Sequence, residues 1–229
     1  MSNGLMFNFN YTFSHMLSTQ DSSGWGSKQG NQPYQNAYYP ALNYGSSNFD
    51  VRHLFKGQTI YNLPFGLGRT FLNQNAALDH VIGGWTLSGT IVAQTGNPFT
   101  PYMLTNNSYS QSSNALQYPN VAGNPNLANP TINSWFNVNA LAAPTPGTFG
   151  NMGRNILYGP GLSQLNLSLQ KTFSITERIK LDLFANATNA LNHPSFALPD
   201  LLIGPGHIGK ITGITVGGRQ MELVGKIRF

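Results

Sequence analysis

Residues Met6 to Ser14 read M-F-N-F-N-Y-T-F-S, aromatic or aliphatic and polar by strict turns. Side chains of a β-strand point alternately to two faces. Phe7, Phe9, Tyr11 and Phe13 therefore share one face, and Asn8, Asn10, Thr12 and Ser14 the other. The pattern recurs along the chain. Trp85, Leu87, Gly89, Ile91 and Ala93 oppose Thr86, Ser88, Thr90 and Gln94. Leu165, Leu167 and Leu169 oppose Asn166, Ser168 and Gln170, and Ile179, Leu181, Leu183 and Ala185 oppose Arg178, Lys180, Asp182 and Asn186. At the end of the sequence Met221, Leu223, Gly225, Ile227 and Phe229 oppose Gln220, Glu222, Lys226 and Arg228. A less regular strand is expected over Phe49 to Leu63, with Arg52 and Lys56 on the polar side, His53 on the apolar side, and Leu54 and Ile60 against the pattern.

About six long strands follow, each of a length that crosses a bilayer when tilted. A soluble sandwich also alternates, so composition has to decide. Charged residues make up only 8% of the chain while aromatics reach 12%, and an ordinary soluble domain carries roughly 25% charged residues. Asn, Gln, Ser, Thr and Gly take the place of charge. That mixture fits a wall with one lipid face and one wet face. In the strands near the C-terminus the charges sit on the polar face. A charge on the lipid face near mid-membrane costs ~2–4 kcal/mol. Lys171 breaks the rule by sharing parity with the leucines, and is expected to snorkel toward an interface from its strand end.

The connections alternate in length. Thr19 to Asn48, Asn97 to Gly161 and Asn189 to Gly218 are long and rich in Gly, Ser, Asn or Pro, whereas Ser174 to Glu177 is a tight turn and Pro64 to Gly84 is intermediate. Ile208 to Val216 is read as a possible extension of the last strand past a Gly217-Gly218 bulge. Long connections outside and short ones in the periplasm are the outer-membrane arrangement. With the C-terminus in the periplasm, Phe7, Tyr61, Trp85, Phe173 and Phe229 all fall at the periplasmic strand ends, as an aromatic girdle would. The fold class expected is all-β: an antiparallel transmembrane β-barrel segment with long extracellular loops. Eight strands are about the minimum for closure, so the barrel is incomplete, and residues 1–229 form its C-terminal part.

Chemistry is sparse. There is no cysteine, hence no disulfide and no thiolate metal site. His15, His53, His80, His193 and His207 have no metal-ligand spacing among them. Asp79-His80 lacks a nucleophile elbow to serve and reads as a turn. Glu177 and Asp182, five apart, fall on opposite faces of a strand and cannot form an acid/base dyad. The reading is of no enzyme, no cofactor and no metal. The net charge is +5, but the basic residues are scattered, which excludes a nucleic-acid patch. The long loops hold aromatics among Asn and Ser. Tyr38, Tyr39, Tyr109 and Trp135 are the candidates to stack on a ligand, but packing among the loops themselves is the favoured role.

Several motifs, in this order, resemble the distal barrel of Oar-like TonB-dependent outer-membrane transporters. They are Asn48-Phe49-Asp50-Val51-Arg52-His53, Leu63-Pro64-Phe65-Gly66, Gly83-Gly84-Trp85-Thr86-Leu87-Ser88-Gly89 and Gln94-Thr95-Gly96-Asn97-Pro98-Phe99. Gly153-Arg154-Asn155, Gly159-Pro160-Gly161, Asn189-Ala190-Leu191-Asn192-His193-Pro194 and the final Phe229 continue the series. The resemblance implies a large barrel around a plug in the outer membrane of a Gram-negative bacterium, importing a substrate into the periplasm. Signal peptide, TonB box, plug and earlier strands are expected upstream, so the TonB complex would be reached only through that part. The strand holding Met221, Leu223, Gly225, Ile227 and Phe229 resembles the signal read by the barrel-assembly machinery. Arg52, Lys56, Arg178, Lys180, Asp182, Glu222, Lys226 and Arg228 are then lumen-facing charges, and the partners are outer-membrane lipid and that machinery. Two other readings stay open: a stand-alone porin or adhesin, and a secreted carbohydrate-binding module.

Overall fold

In a computed structural model, which describes residues 4–21, 34–36, 38–72, 76–109 and 117–229, six long strands form one antiparallel sheet. They are β1 (Leu5–Phe13), β2 (His53–Asn62), β3 (Trp85–Gln94), β4 (Leu162–Ser174), β5 (Lys180–Thr188) and β6 (Gln220–Arg228). Each pairs with the next in sequence, so the sheet is a meander with β1 and β6 as its edges. Strands of 9 to 13 residues match the ~9–11 needed to cross a bilayer at a tilt.

The register makes the two faces continuous. Phe9 faces Gly57, Gly57 faces Ile91, Ile91 faces Leu165, Leu167 faces Ala187 and Ala187 faces Met221. Every such pairing joins odd to odd or even to even. The odd-numbered residues of all six strands therefore form one face, and the even-numbered residues the other. A slip of one residue at any pair would turn a strand inside out. Gly57 has a local role in this. A Cβ there would meet the Phe9 ring at 2.4 Å, so the missing side chain lets Phe9 lie across the sheet and stack on Phe55, with centroids 5.9 Å apart.

Three connections lie at one end of the sheet, residues 14–52, 95–161 and 189–219, and two at the other, residues 63–84 and 175–179. These are called the loop end and the turn end. The β4–β5 turn closes with Ile175 and Thr176 N–H groups donating to the Ile179 carbonyl, while the Thr176 hydroxyl accepts from Arg178 and Ile179 N–H. The other turn-end connection contains a helix, α1 (Ala76–Ile82), that the strand pattern does not foretell.

The loop end is a folded cap rather than a set of open loops. Phe99, Tyr118, Phe136, Leu141, Met152, Leu157 and Ile203 form its buried core, drawn from two of the three connections. Short bridges join them: Tyr102–Met103 runs parallel to Leu202–Ile203, and Trp135 N–H donates to the Gly209 carbonyl at 3.0 Å. Gly96 allows the closest approach, since a Cβ there would sit 1.8 Å from the Gly159 carbonyl oxygen.

Three strand boundaries differ from the alternation. Residues 49–52 stay outside β2, because Asp50 turns inward to accept from Met16 N–H at 2.8 Å. Arg178 lies in the β4–β5 turn, not on β5. Ile214–Val216 pairs with Ser195–Phe196 instead of prolonging β6.

Candidate functional site: the two faces of the wall and its cap

The even face carries a layer of polar side chains bonded across strands. Thr86 Oγ1 donates to Asn62 at 2.8 Å, Asn166 Nδ2 to Thr90 at 3.3 Å, Ser168 Oγ to Asn186 at 2.6 Å, and Asn186 Nδ2 to Glu222 at 3.3 Å. Near the turn end Asp182 accepts from Thr172 Oγ1 at 2.6 Å and takes a two-pronged contact from Arg228, 2.5 Å from Nε and 2.9 Å from Nη2. Such cross-strand pairs satisfy polar groups locally. Lys56, Lys180, Asp182, Glu222, Lys226 and Arg228 all stand on this face. Arg52 and Arg178 do not. Arg52 precedes β2, 3.6 Å from Asp50 and 3.4 Å from the Tyr158 hydroxyl, and Arg178 is an exposed turn residue.

The odd face is apolar and largely uncovered. Phe7, Phe9, Tyr11 and Phe13 on β1 are each more than half exposed. Met221, Leu223 and Ile227 on β6 are exposed as well, and Phe229 just beyond them is fully so. Phe7, Tyr61, Trp85, Phe173 and Phe229 share this face near the turn end, by register and position. Of these, the structure brings Trp85 and Phe173 together through one cation. The Lys171 ammonium lies 5.5 Å from the Trp85 ring centroid and 5.0 Å from that of Phe173.

Lys171 does not snorkel. It is 4% exposed, and its ammonium donates to the Gly83 carbonyl and approaches that of Asp79 at 3.5 Å. These carbonyls lie at the C-terminal end of α1, where a cation is favoured; that of Asp79 also accepts from Gly83 N–H at 2.9 Å, so the Gly83 carbonyl is the one that Lys171 mainly serves. The strand pattern marks Lys171 as an exception, but the helix that receives it has no periodic signal. Asp79 and His80 lie in α1 and not in a turn, and Asp79 holds the same connection closed by accepting from Leu67 N–H at 2.7 Å.

The cap is fastened by buried polar groups that the alternation could not reveal. Arg154 and Asp21 form an ion pair at 2.5 Å with side chains 0% and 3% exposed. Asp21 also accepts from Asn48 N–H at 2.5 Å and from the hydroxyls of Ser18 and Ser47 at 2.8 and 3.1 Å. Burial pushes its carboxyl upward, but the Asn48 and Ser18 hydrogen bonds and the Arg154 charge outweigh that and hold it below its ordinary value. Asn155 Nδ2 donates to Ser46 O and Asn48 Oδ1, both at 2.7 Å, and its Oδ1 accepts from Thr100. Asn189 ties the third connection by donating to the Gly217 carbonyl at 2.7 Å. Several of the motifs quoted above thus contribute the fasteners of the cap.

The loop aromatics divide. Tyr38, Tyr39 and Tyr109 are 91%, 64% and 78% exposed. Trp135 is half-buried against the core and its indole donates to the Tyr158 carbonyl at 2.9 Å. Tyr118 is core, and burial pushes its phenol up to about 12.

Among the described residues there is no cluster of His, Cys, Asp or Glu fit to hold a metal ion, and no helix is long and apolar enough to cross a membrane, which says nothing of crossing by strands. Residues 1–222 match the family model described as outer membrane beta barrel domain. No curated protein or solved structure gives a match.

Proposed function

Since the chain belongs to the outer membrane beta barrel domain family, and so forms part of a barrel wall in the outer membrane, we propose that this wall is the C-terminal part of a TonB-dependent transporter of the Oar-like kind. The odd face meets lipid and the even face meets the lumen and plug. The turn end lies in the periplasm, with Phe7, Tyr61, Trp85, Phe173 and Phe229 as its aromatic girdle. The cap stands at the cell exterior, where Tyr38, Tyr39 and Tyr109 help capture substrate. Met221, Leu223, Gly225, Ile227 and Phe229 present the strand that the barrel-assembly machinery reads. TonB acts through the part of the transporter upstream of this wall. The protein is not an enzyme in this reading.

The observation that carries it is the unbroken parity of the six strands, which puts a polar bonded layer on one face and exposed apolar side chains on the other. Membership in the family leaves the secreted carbohydrate-binding module without support. A stand-alone porin or adhesin keeps one observation in its favour. β1 and β6 are antiparallel edges with the same face assignment, so copies joined edge to edge would continue the sheet.

A photoreactive residue in place of Gln58 on the even face separates the two readings in cells that make the full gene product. A transporter yields a cross-link within the same polypeptide, to its plug, and no steady pore in a planar bilayer. Cross-links only between copies, with steady open-pore conductance, would overturn the transporter reading.

A further inference from the structure

At the loop end the odd face does not simply stop. A groove of about 570 Å³ opens there between the sheet and the cap. That is within the ~300–1,000 Å³ of ordinary ligand pockets. Its floor is the odd-face row Tyr11, Phe55 and Ala93, and Trp135, Pro194 and Phe196 face it from the cap. We propose that this groove seats an acyl chain of an outer-leaflet lipid.

Three observations converge on that occupant. First, the floor continues the apolar face without a break in register: Phe55 pairs with Ala93, which lies two residues along β3 from Ile91, itself paired with Leu165. An alkyl chain lying on the wall is led into the groove with no polar step to cross. Second, several of the polar side chains around it are already engaged inside the protein. His53 Nδ1 is bonded to the Tyr11 hydroxyl at 2.7 Å, Ser195 Oγ to the Ser163 backbone, and the Trp135 indole to the Tyr158 carbonyl. A polar solute would lose water contacts there for little return, whereas a hydrocarbon chain only gains by leaving water. Third, the proposed orientation puts the loop end where the wall reaches the outer leaflet. This inference rests on the proposed function for that orientation and for the lipid face.

The test compares two alanines of the odd face. Ala93 lines the groove, while Ala185 lies on the same face of β5 away from it. The full gene product with Ala93→Phe or Ala185→Phe is extracted from outer membranes in mild detergent, washed, and its retained acyl lipid per chain is measured by mass spectrometry. Retention falls about tenfold in Ala93→Phe, equivalent to ~1.4 kcal/mol, and is unchanged in Ala185→Phe. A photoreactive residue in place of Phe196, with Ala93 intact, yields an acyl-lipid adduct. Equal retention in the two variants, or an adduct at position 196 that is a polypeptide or a water-soluble compound, overturns the lipid site while the wall reading stands. If neither variant nor the parent fractionates with the outer membrane, the wall reading fails, and the lipid site with it.

Discussion

Among the described residues every fully buried apolar side chain lies in the cap, from Phe99 to Ile211, and none lies on the six strands of the wall. The wall's buried positions are Gly89, Lys171 and Asp182, and the last two are charged. The cap faces water on its outside and must exclude it from its own interior, so it builds a core and fastens it with an ion pair. The wall has no second layer to pack against. In the proposed orientation its odd face leaves burial to the surrounding lipid, and its even face satisfies polar groups with one another. One chain thus solves the burial problem twice, because the solvent differs at its two ends.

The difference can be broken most severely from the cap. Arg154→Met leaves the Asp21 carboxylate buried without its counter-charge, which costs ~3–5 kcal/mol. Hydrogen exchange should speed up across residues 97–157 while the strands of the wall keep their protection. Equal loss in both regions would mean that cap and wall form one cooperative unit.

Next in size is a charge on the odd face, which the proposed orientation turns to lipid. Leu167→Arg, in the middle of β4, should cost ~2–4 kcal/mol in a bilayer, read from denaturant unfolding in vesicles. Its neighbour Ser168→Arg, on the even face, should be near neutral.

Lys171→Met removes the cation from the end of α1 and leaves the Gly83 carbonyl without its ammonium partner, for ~1–3 kcal/mol. The effect should appear as faster exchange in residues 76–84 with the cap unchanged. Smallest is Arg228→Gln. The Arg228 side chain is about half exposed while the Asp182 carboxylate is 3% exposed, and the Thr172 hydroxyl still bonds that carboxylate when Arg228 is gone, so the loss should be ~1 kcal/mol. A loss well above that would show the even-face layer to be more than local satisfaction of polar groups.

Acid and alkali distinguish the regions without mutation. The folded Asp21 carboxyl titrates below its ordinary value, so the unfolded cap binds the proton more readily. The stability it contributes is complete above about pH 4, the unfolded value, and is lost as pH falls through the depressed folded value. The Tyr118 phenol is pushed up to about 12. Its contribution is complete below about pH 10 and is lost as pH rises toward 12. Trp135 fluorescence, in a background with the other tryptophans replaced, should report cap loosening in both windows. Phenolate absorbance should show Tyr118 titrating last, with Tyr102, whose phenol burial and the nearby Asp200 charge also raise, titrating later than the rest.

The wall was legible in the sequence because strand faces follow a period of two residues, a local property. Phe7 to Phe13, Leu165 to Leu169 and Met221 to Ile227 declare their faces without knowledge of their neighbours. Even the exception at Lys171 was visible as an exception. The cap was not legible. Asp21 and Arg154 are 133 positions apart, and Phe99, Phe136 and Ile203 meet from segments with no repeating pattern. The loop aromatics read as packing among the loops sooner than as ligand contacts, and Tyr118 and Trp135 do serve the packing of the cap, but which segments meet was not readable.

The sequence by itself determined which side of the wall each strand residue faces, since alternation is set by backbone geometry alone. Only the tertiary structure decided that the loops close into a cap with its own core, and that Lys171 ends on α1 instead of at the interface. Both depend on which distant groups meet, and the free energy of burying a charge or an aromatic ring is fixed by those partners, not by its place in the chain.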